Sequence, residues 1–163
     1  MELKHVSVLG AGIMGAGIAQ VAAQAGFNVT LRDMEDRFVE NGLITIRANL
    51  DRAVSKQKMT PEESQLILDR ISGTTDMTAA SDADLVIEAI IEVMDIKKQV
   101  YQELDAICPE HTIFASNTSG LSITEMASVT KRPDRFIGMH FFNPVPVMKL
   151  VELIRGFVTS DET

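Results

Sequence analysis

Three stretches of this 163-residue sequence gather the groups that a ligand-holding or reactive site requires. The first is Gly10-Ala11-Gly12-Ile13-Met14-Gly15, with Asp33 following 23 residues after Gly10. A G-x-G-x-x-G alone is a weak signal. Set between an apolar run and an amphipathic one, and followed by an acid at that spacing, it reads as a dinucleotide fingerprint. Gly10 permits the tight turn, Gly12 lets the backbone approach a pyrophosphate, and Gly15 lets helix and strand pack closely. The helix N-terminus supplies N–H groups and positive dipole for phosphates. Asp33 would accept hydrogen bonds from the adenosine ribose hydroxyls and repel a 2′-phosphate, so NAD is expected over NADP. Arg32 and Arg37 argue the other way, but strand alternation points Arg32 away from Asp33.

The second stretch holds His140 and Glu152, 12 residues apart across a turn broken by Pro144 and Pro146. Two strands joined by such a turn can lie side by side, which sets Glu152 against His140. A histidine held by a carboxylate has a fixed tautomer and can accept an alcohol proton. The third is Ser116-Asn117-Thr118-Ser119, a polar cluster at the C-terminal end of a strand, where open α/β sheets bind ligands. Ser122 caps the helix that follows, which leaves Ser119 free.

The elements that must position these groups alternate between buried apolar runs and helical patterns. That predicts an α/β fold with a doubly wound, mainly parallel sheet and helices on both faces. Val6–Leu9 is a strand, followed by a helix through Met14, Ile18, Val21, Ala22 and Ala25 that Gly26 closes. Asn28–Arg32 is the second strand. A long helix runs from Glu35 to about Lys56, with Phe38, Val39, Leu43, Ile46, Leu50 and Ala53 on one face. Thr60-Pro61-Glu62-Glu63 starts another with a capping box. Arg70–Thr74 is a weak strand and Leu85–Ile91 a strong one. Ile96, Val100, Leu104 and Ile107 mark a helix, and Thr112–Ala115 is a strand. Ser122-Ile123-Thr124-Glu125 is a second capping box. Arg135–Phe142 and Leu150–Ile154 are the last strands.

Composition narrows the function class. Hydrophobic residues make up 45% and charged residues 23%, the balance of a globular chain. A net charge of −8 makes a poor binder of nucleic acid or anionic membrane. The apolar stretch Val6 to Ala25, after Lys4 and His5, superficially resembles a secretion signal, but its glycines and glutamines fit a strand–turn–helix better. No run reaches the ~18 apolar residues of a membrane span. One cysteine, Cys108, allows no internal disulfide and fits a cytoplasmic location. With only His5, His111 and His140 beside it, no metal site is expected.

The segments VLGAGIMGAGIAQVAAQAGFNVTLRD, DLVIEAIIE, IFASNTSGLSITEMA and RFIGMHFFNPVPVMKLVE resemble, in order, the NAD-dependent L-3-hydroxyacyl-CoA (3-hydroxybutyryl-CoA) dehydrogenases of fatty-acid β-oxidation and butyrate metabolism. The resemblance covers nearly the whole chain. It implies a Rossmann-like domain that oxidises the 3-hydroxyl of an acyl-CoA, with His140 as general acid/base and Glu152 orienting it. It further implies that Ser119 and Asn143 contact substrate and nicotinamide. Gly10, Gly12, Ile13, Met14, Gly15, Asp33, Glu92 and Lys97 would line the NAD site, and Asn49 and Lys56 would contact the CoA. Without the resemblance, Glu92 and Lys97 read as a helix-start charge and a solvated lysine. The family's helical C-terminal domain, which closes over the substrate and forms a homodimer, is absent from residues 1–163. Two other readings stand beside this one: an NAD-binding module without its own turnover, and a related β-hydroxyacid dehydrogenase.

Overall fold

Val6, Val8 and Leu9 are buried on both faces of their strand, as a central parallel strand with helices above and below requires. The computed structural model describes residues 3–163. In chain order the elements are β1 (His5–Leu9), α1 (Ile13–Gln24), β2 (Asn28–Arg32), α2 (Asp36–Ser55), α3 (Pro61–Leu68), β3 (Ile71–Thr74), β4 (Leu85–Glu88), α4 (Met94–Ile107), β5 (Ile113–Ser116), α5 (Ile123–Ala127), β6 (Phe136–Phe141) and β7 (Val151–Arg155). Short 3-10 turns lie at Met77–Ala80 and Pro133–Arg135.

The seven-stranded sheet has the order β3-β2-β1-β4-β5-β6-β7. All pairs are parallel except β6 with β7. The strand order reverses between β1 and β4, the point at which open α/β sheets bind ligands beyond the C-terminal ends of their strands. One face packs Val8, Ile18, Leu31, Ile46 and Leu50 under α1 and α2. The other packs Val86, Leu104, Phe114, Met126 and Phe136 under α4 and α5, with Tyr101 edge-on to Phe136 at 4.5 Å. This is the doubly wound, Rossmann-like sheet with helices on both faces that the sequence predicts.

Local departures have local causes. The strand expected over Leu85–Ile91 stops at Glu88, because the Glu88 carboxylate takes the Ile90 N–H at 2.8 Å and turns the chain toward α4. Phe38 leaves the apolar face of α2 and lies half-exposed under the Arg37 guanidinium. At α3 both arms of the capping box form. At α5 only Ser122 caps, since Glu125 pairs with Lys98 instead. Arg135 belongs to a 3-10 turn rather than to β6, and β7 starts one residue later than expected.

Candidate dinucleotide site and His–Glu pair

The glycine loop leaves β1 at the switch point. Gly10 has φ +96°, a conformation that glycine adopts without steric cost. A Cβ there would also lie 2.5 Å from the Ala89 carbonyl oxygen. A Cβ on Gly15 would sit 1.6 Å from the Gly10 carbonyl oxygen, so α1 could not start so close to β1 with any other residue. A Cβ on Gly12 would meet nothing within 4 Å, so it would project into open space. Gly12 is also the N-cap of α1, and no side chain caps the helix or brings an acid to its first turn. The first-turn N–H groups are thus left to an anion. These features fit a pyrophosphate.

Asp33 follows β2 beside this loop. Its Oδ2 accepts the Ala11 N–H at 2.7 Å and its Oδ1 the Met34 N–H at 2.6 Å. A carboxylate has about four acceptor positions, so both oxygens retain capacity for ribose hydroxyls. Ile13, 75% exposed, and the exposed Met34 flank the mouth. Arg37 pairs with Glu35 at 2.8 Å, and Arg32 donates to the Thr75 carbonyl. Neither arginine is poised for a 2′-phosphate. Residues suited to hold NAD therefore converge at this end of the sheet.

His140 and Glu152 are register partners across β6 and β7. Nδ1 of His140 faces Oε2 of Glu152 at 2.8 Å. The ring is 20% exposed and lies 4.6 Å from the Phe142 ring. With Nδ1 turned to the carboxylate, Nε2 is the nitrogen that can meet a ligand. The strands leading to Ser119 and His140 are neighbours, with Ser116 opposite Gly138. The Asn117 side chain ties their ends together by accepting the Phe141 N–H at 2.8 Å. Ser119 and Asn143 are exposed at this rim, and their side chains make no hydrogen bond among the described residues. The turn carrying Asn143 folds back on α1, where Val145 is buried against Gly17.

Lys97 corrects the solvated-lysine reading. It is 1% exposed, with Nζ 2.5 Å from Glu88 Oε1 and 3.2 Å from Glu92 Oε2. The Thr118 hydroxyl donates to the other Glu92 oxygen. Burial works to raise the Glu92 carboxyl, but Thr118, Lys97 and the Ser119 N–H together hold it below its ordinary value. Tyr101 is pushed well above the ordinary phenol value by burial and by the Glu88 charge. It stays a neutral donor, bonded to the Ala115 carbonyl at 3.0 Å. At the opposite end of the strands, His5, Thr30, Arg70 and Asp82 line a cleft of about 630 Å³. It touches none of the residues above.

Comparison with known proteins decides the family. Residues 5–163 match the family described as 3-hydroxyacyl-CoA dehydrogenase, NAD binding domain. A probable 3-hydroxybutyryl-CoA dehydrogenase of Bacillus subtilis is 54% identical over 163 residues, which is 100% of this chain and 57% of that protein. The mitochondrial hydroxyacyl-coenzyme A dehydrogenase of Homo sapiens is 46% identical, over 99% of this chain and 53% of its own. The crystal structure of (S)-3-hydroxybutyryl-CoA dehydrogenase from Ralstonia eutropha superposes with a TM-score of 0.96 at 49% identity, over 99% of this chain and 57% of that one.

The chain belongs to the 3-hydroxyacyl-CoA dehydrogenase family. It corresponds to that family's NAD-binding domain and spans about half the length of the curated relatives it matches. Of the two positions expected to meet CoA, Asn49 donates from Nδ2 to the buried Gln20 at 3.0 Å and so links α2 to α1. Lys56 is exposed at the C-cap of α2. Sequence reasoning missed Glu88 and Asn117. The signal for Glu88 was an acid closing an otherwise apolar strand, Leu85-Val86-Ile87-Glu88, with Lys97 nine residues on.

Proposed function

We propose that this chain forms the cofactor-binding and proton-transferring part of an NAD-dependent L-3-hydroxyacyl-CoA dehydrogenase. It interconverts a 3-hydroxyacyl-CoA and its 3-ketoacyl-CoA in the cytoplasm. The observation that supports this reading most is the His140–Glu152 pair, 2.8 Å apart, at the same end of the sheet as the glycine loop. NAD, when bound, supplies the hydride acceptor. His140 Nδ1–H donates to Glu152, so Nε2 presents its lone pair and takes the proton of the 3-hydroxyl. Glu152 stabilises the imidazolium that results. In reduction the same nitrogen returns the proton to the forming alkoxide. Ser119 and Asn143, with hydrogen-bonding capacity to spare, hold the reacting oxygen and the nicotinamide amide. Asp33 takes the adenosine ribose, and the first turn of α1 takes the pyrophosphate.

The complete protein carries a further helical domain that covers the substrate and forms a homodimer. Leu150, Leu153 and Phe157, exposed on and beside β7, are the surface such a domain would cover. Without that cover, positioning and exclusion of water are incomplete, and turnover by the chain alone is slow.

The test offers acetoacetyl-CoA or free acetoacetate to the NADH-saturated chain and follows NADH absorbance. Consumption with the thioester alone is expected. Preference for the free acid would favour a β-hydroxyacid dehydrogenase. NADH binding without consumption of either would favour a cofactor-binding module.

A further inference from the structure

Glu88 and Lys97 are buried at the C-terminal end of β4, and neither is needed for the proton transfer above. Their contacts close a ring. Lys97 bridges Glu88 Oε1 and Glu92 Oε2. The Glu92 carboxylate accepts the Thr118 hydroxyl, and that hydroxyl oxygen accepts the Leu121 N–H at 2.9 Å. The Thr118 N–H in turn reaches the Ser116 hydroxyl at 3.3 Å, and this hydroxyl donates to Glu88 Oε2 at 2.7 Å. The ring runs through Ser116 and Thr118, holds Leu121 by a branch, and leaves Ser119 exposed at the tip. The Asn117 N–H adds a bond to the Glu88 carbonyl at 2.8 Å.

We infer that Glu88 is a positioning residue for the site: through Lys97–Glu92 on one side and Ser116 on the other, it fixes the loop that presents Ser119. A buried ion pair is weak evidence of net stability, because desolvation offsets most of its attraction. It does specify one geometry, since each of its oxygens has a partner whose loss would leave a buried charge uncompensated. Both Glu88 oxygens are engaged: Oε1 by Lys97 and by the Ile90 N–H, which turns the chain toward Glu92, and Oε2 by Ser116 and, at 3.4 Å, the Tyr101 hydroxyl. Asn117 carries the constraint to the Phe141 N–H, beside His140. The inference rests on the reading of Ser119 as a site residue.

Glu88→Gln in the 163-residue chain tests it by hydrogen–deuterium exchange and by NADH titration, with melting temperature as the record of general stability. The expected result is amide exchange about tenfold faster at Thr118–Leu121, with Val8 and Leu31 in β1 and β2 unchanged. NADH affinity should fall by roughly tenfold or more as the loop loses its geometry. Unchanged loop exchange in a folded variant would overturn the inference. So would loosened exchange with NADH affinity equal to wild type. If Glu88→Gln does not fold, Ser116→Ala leaves the ion pair in place, removes one arm of the ring and is read by the same criteria. A wild-type chain that binds no NADH would defeat the dinucleotide reading, while the exchange data would still decide whether Glu88 holds the loop.

Discussion

Asp33 does two jobs with one carboxylate. It ties the glycine loop down through the Ala11 N–H, and it has acceptor capacity left over. Asp33→Ala removes hydrogen bonds to a charged group, each worth about 1.5–3 kcal/mol. NADH affinity measured by calorimetry should therefore fall by roughly ten- to a hundredfold. Cys108 behaves in the opposite way. Burial pushes its thiol up to about 11, and its Sγ lies 3.3 Å from the Ala80 carbonyl. At pH 7–8 almost no thiolate is present, so the folded chain should react with a thiol reagent only at its unfolding rate. Rapid stoichiometric labelling of native protein would contradict this. The candidate site residues were legible where type and spacing together admit few geometries. His140 and Glu152 flank a proline-broken turn, and antiparallel pairing sets them opposite each other. Lys97 was not legible, because its burial depends on Glu88, a partner on another element.

Elements were readable wherever burial imposes a continuous pattern. The parallel strands β1, β2 and β5 are short segments whose middle residues are buried, each lying between two neighbours in the sheet. Their ends were harder to place, because side chains set them. Glu88 ends β4 by capturing the Ile90 N–H, and Asp76 caps the Met77–Ala80 turn, which is too short to show periodicity. A similar clamp starts the sheet: Asp84 Oδ2 accepts the His5 N–H at 2.9 Å and the Lys4 N–H at 2.8 Å, while Oδ1 faces His111 Nε2 at 3.2 Å. The His5 N–H bond, then the Lys4 one, holds the Asp84 carboxyl below its ordinary 3.8. A depressed carboxyl stabilises the fold above the unfolded-state value and loses that contribution as pH falls through the folded one. Asp84→Asn should therefore lower stability near neutral pH by about 1–3 kcal/mol. It should also flatten the decline of melting temperature below pH 4, which thermal melts across pH would register.

At the scale of the whole molecule, seven strands bring the glycine loop, the Ser119 loop and the His140–Glu152 pair to one rim, although they are far apart in sequence. The fold could be read in outline because each segment's local preference agrees with its place in the sheet. The Asn49–Gln20 bond that links α2 to α1 could not, since it depends on how the two helices pack. The proposed activity depends on one proton acceptor, so a single comparison tests it most directly. Wild type and His140→Ala are saturated with NADH, acetoacetyl-CoA is added, and the initial rate of NADH loss is recorded. A rate about 10²–10⁴-fold lower is expected in His140→Ala, at unchanged NADH affinity and melting temperature. Equal rates in the two proteins would contradict it.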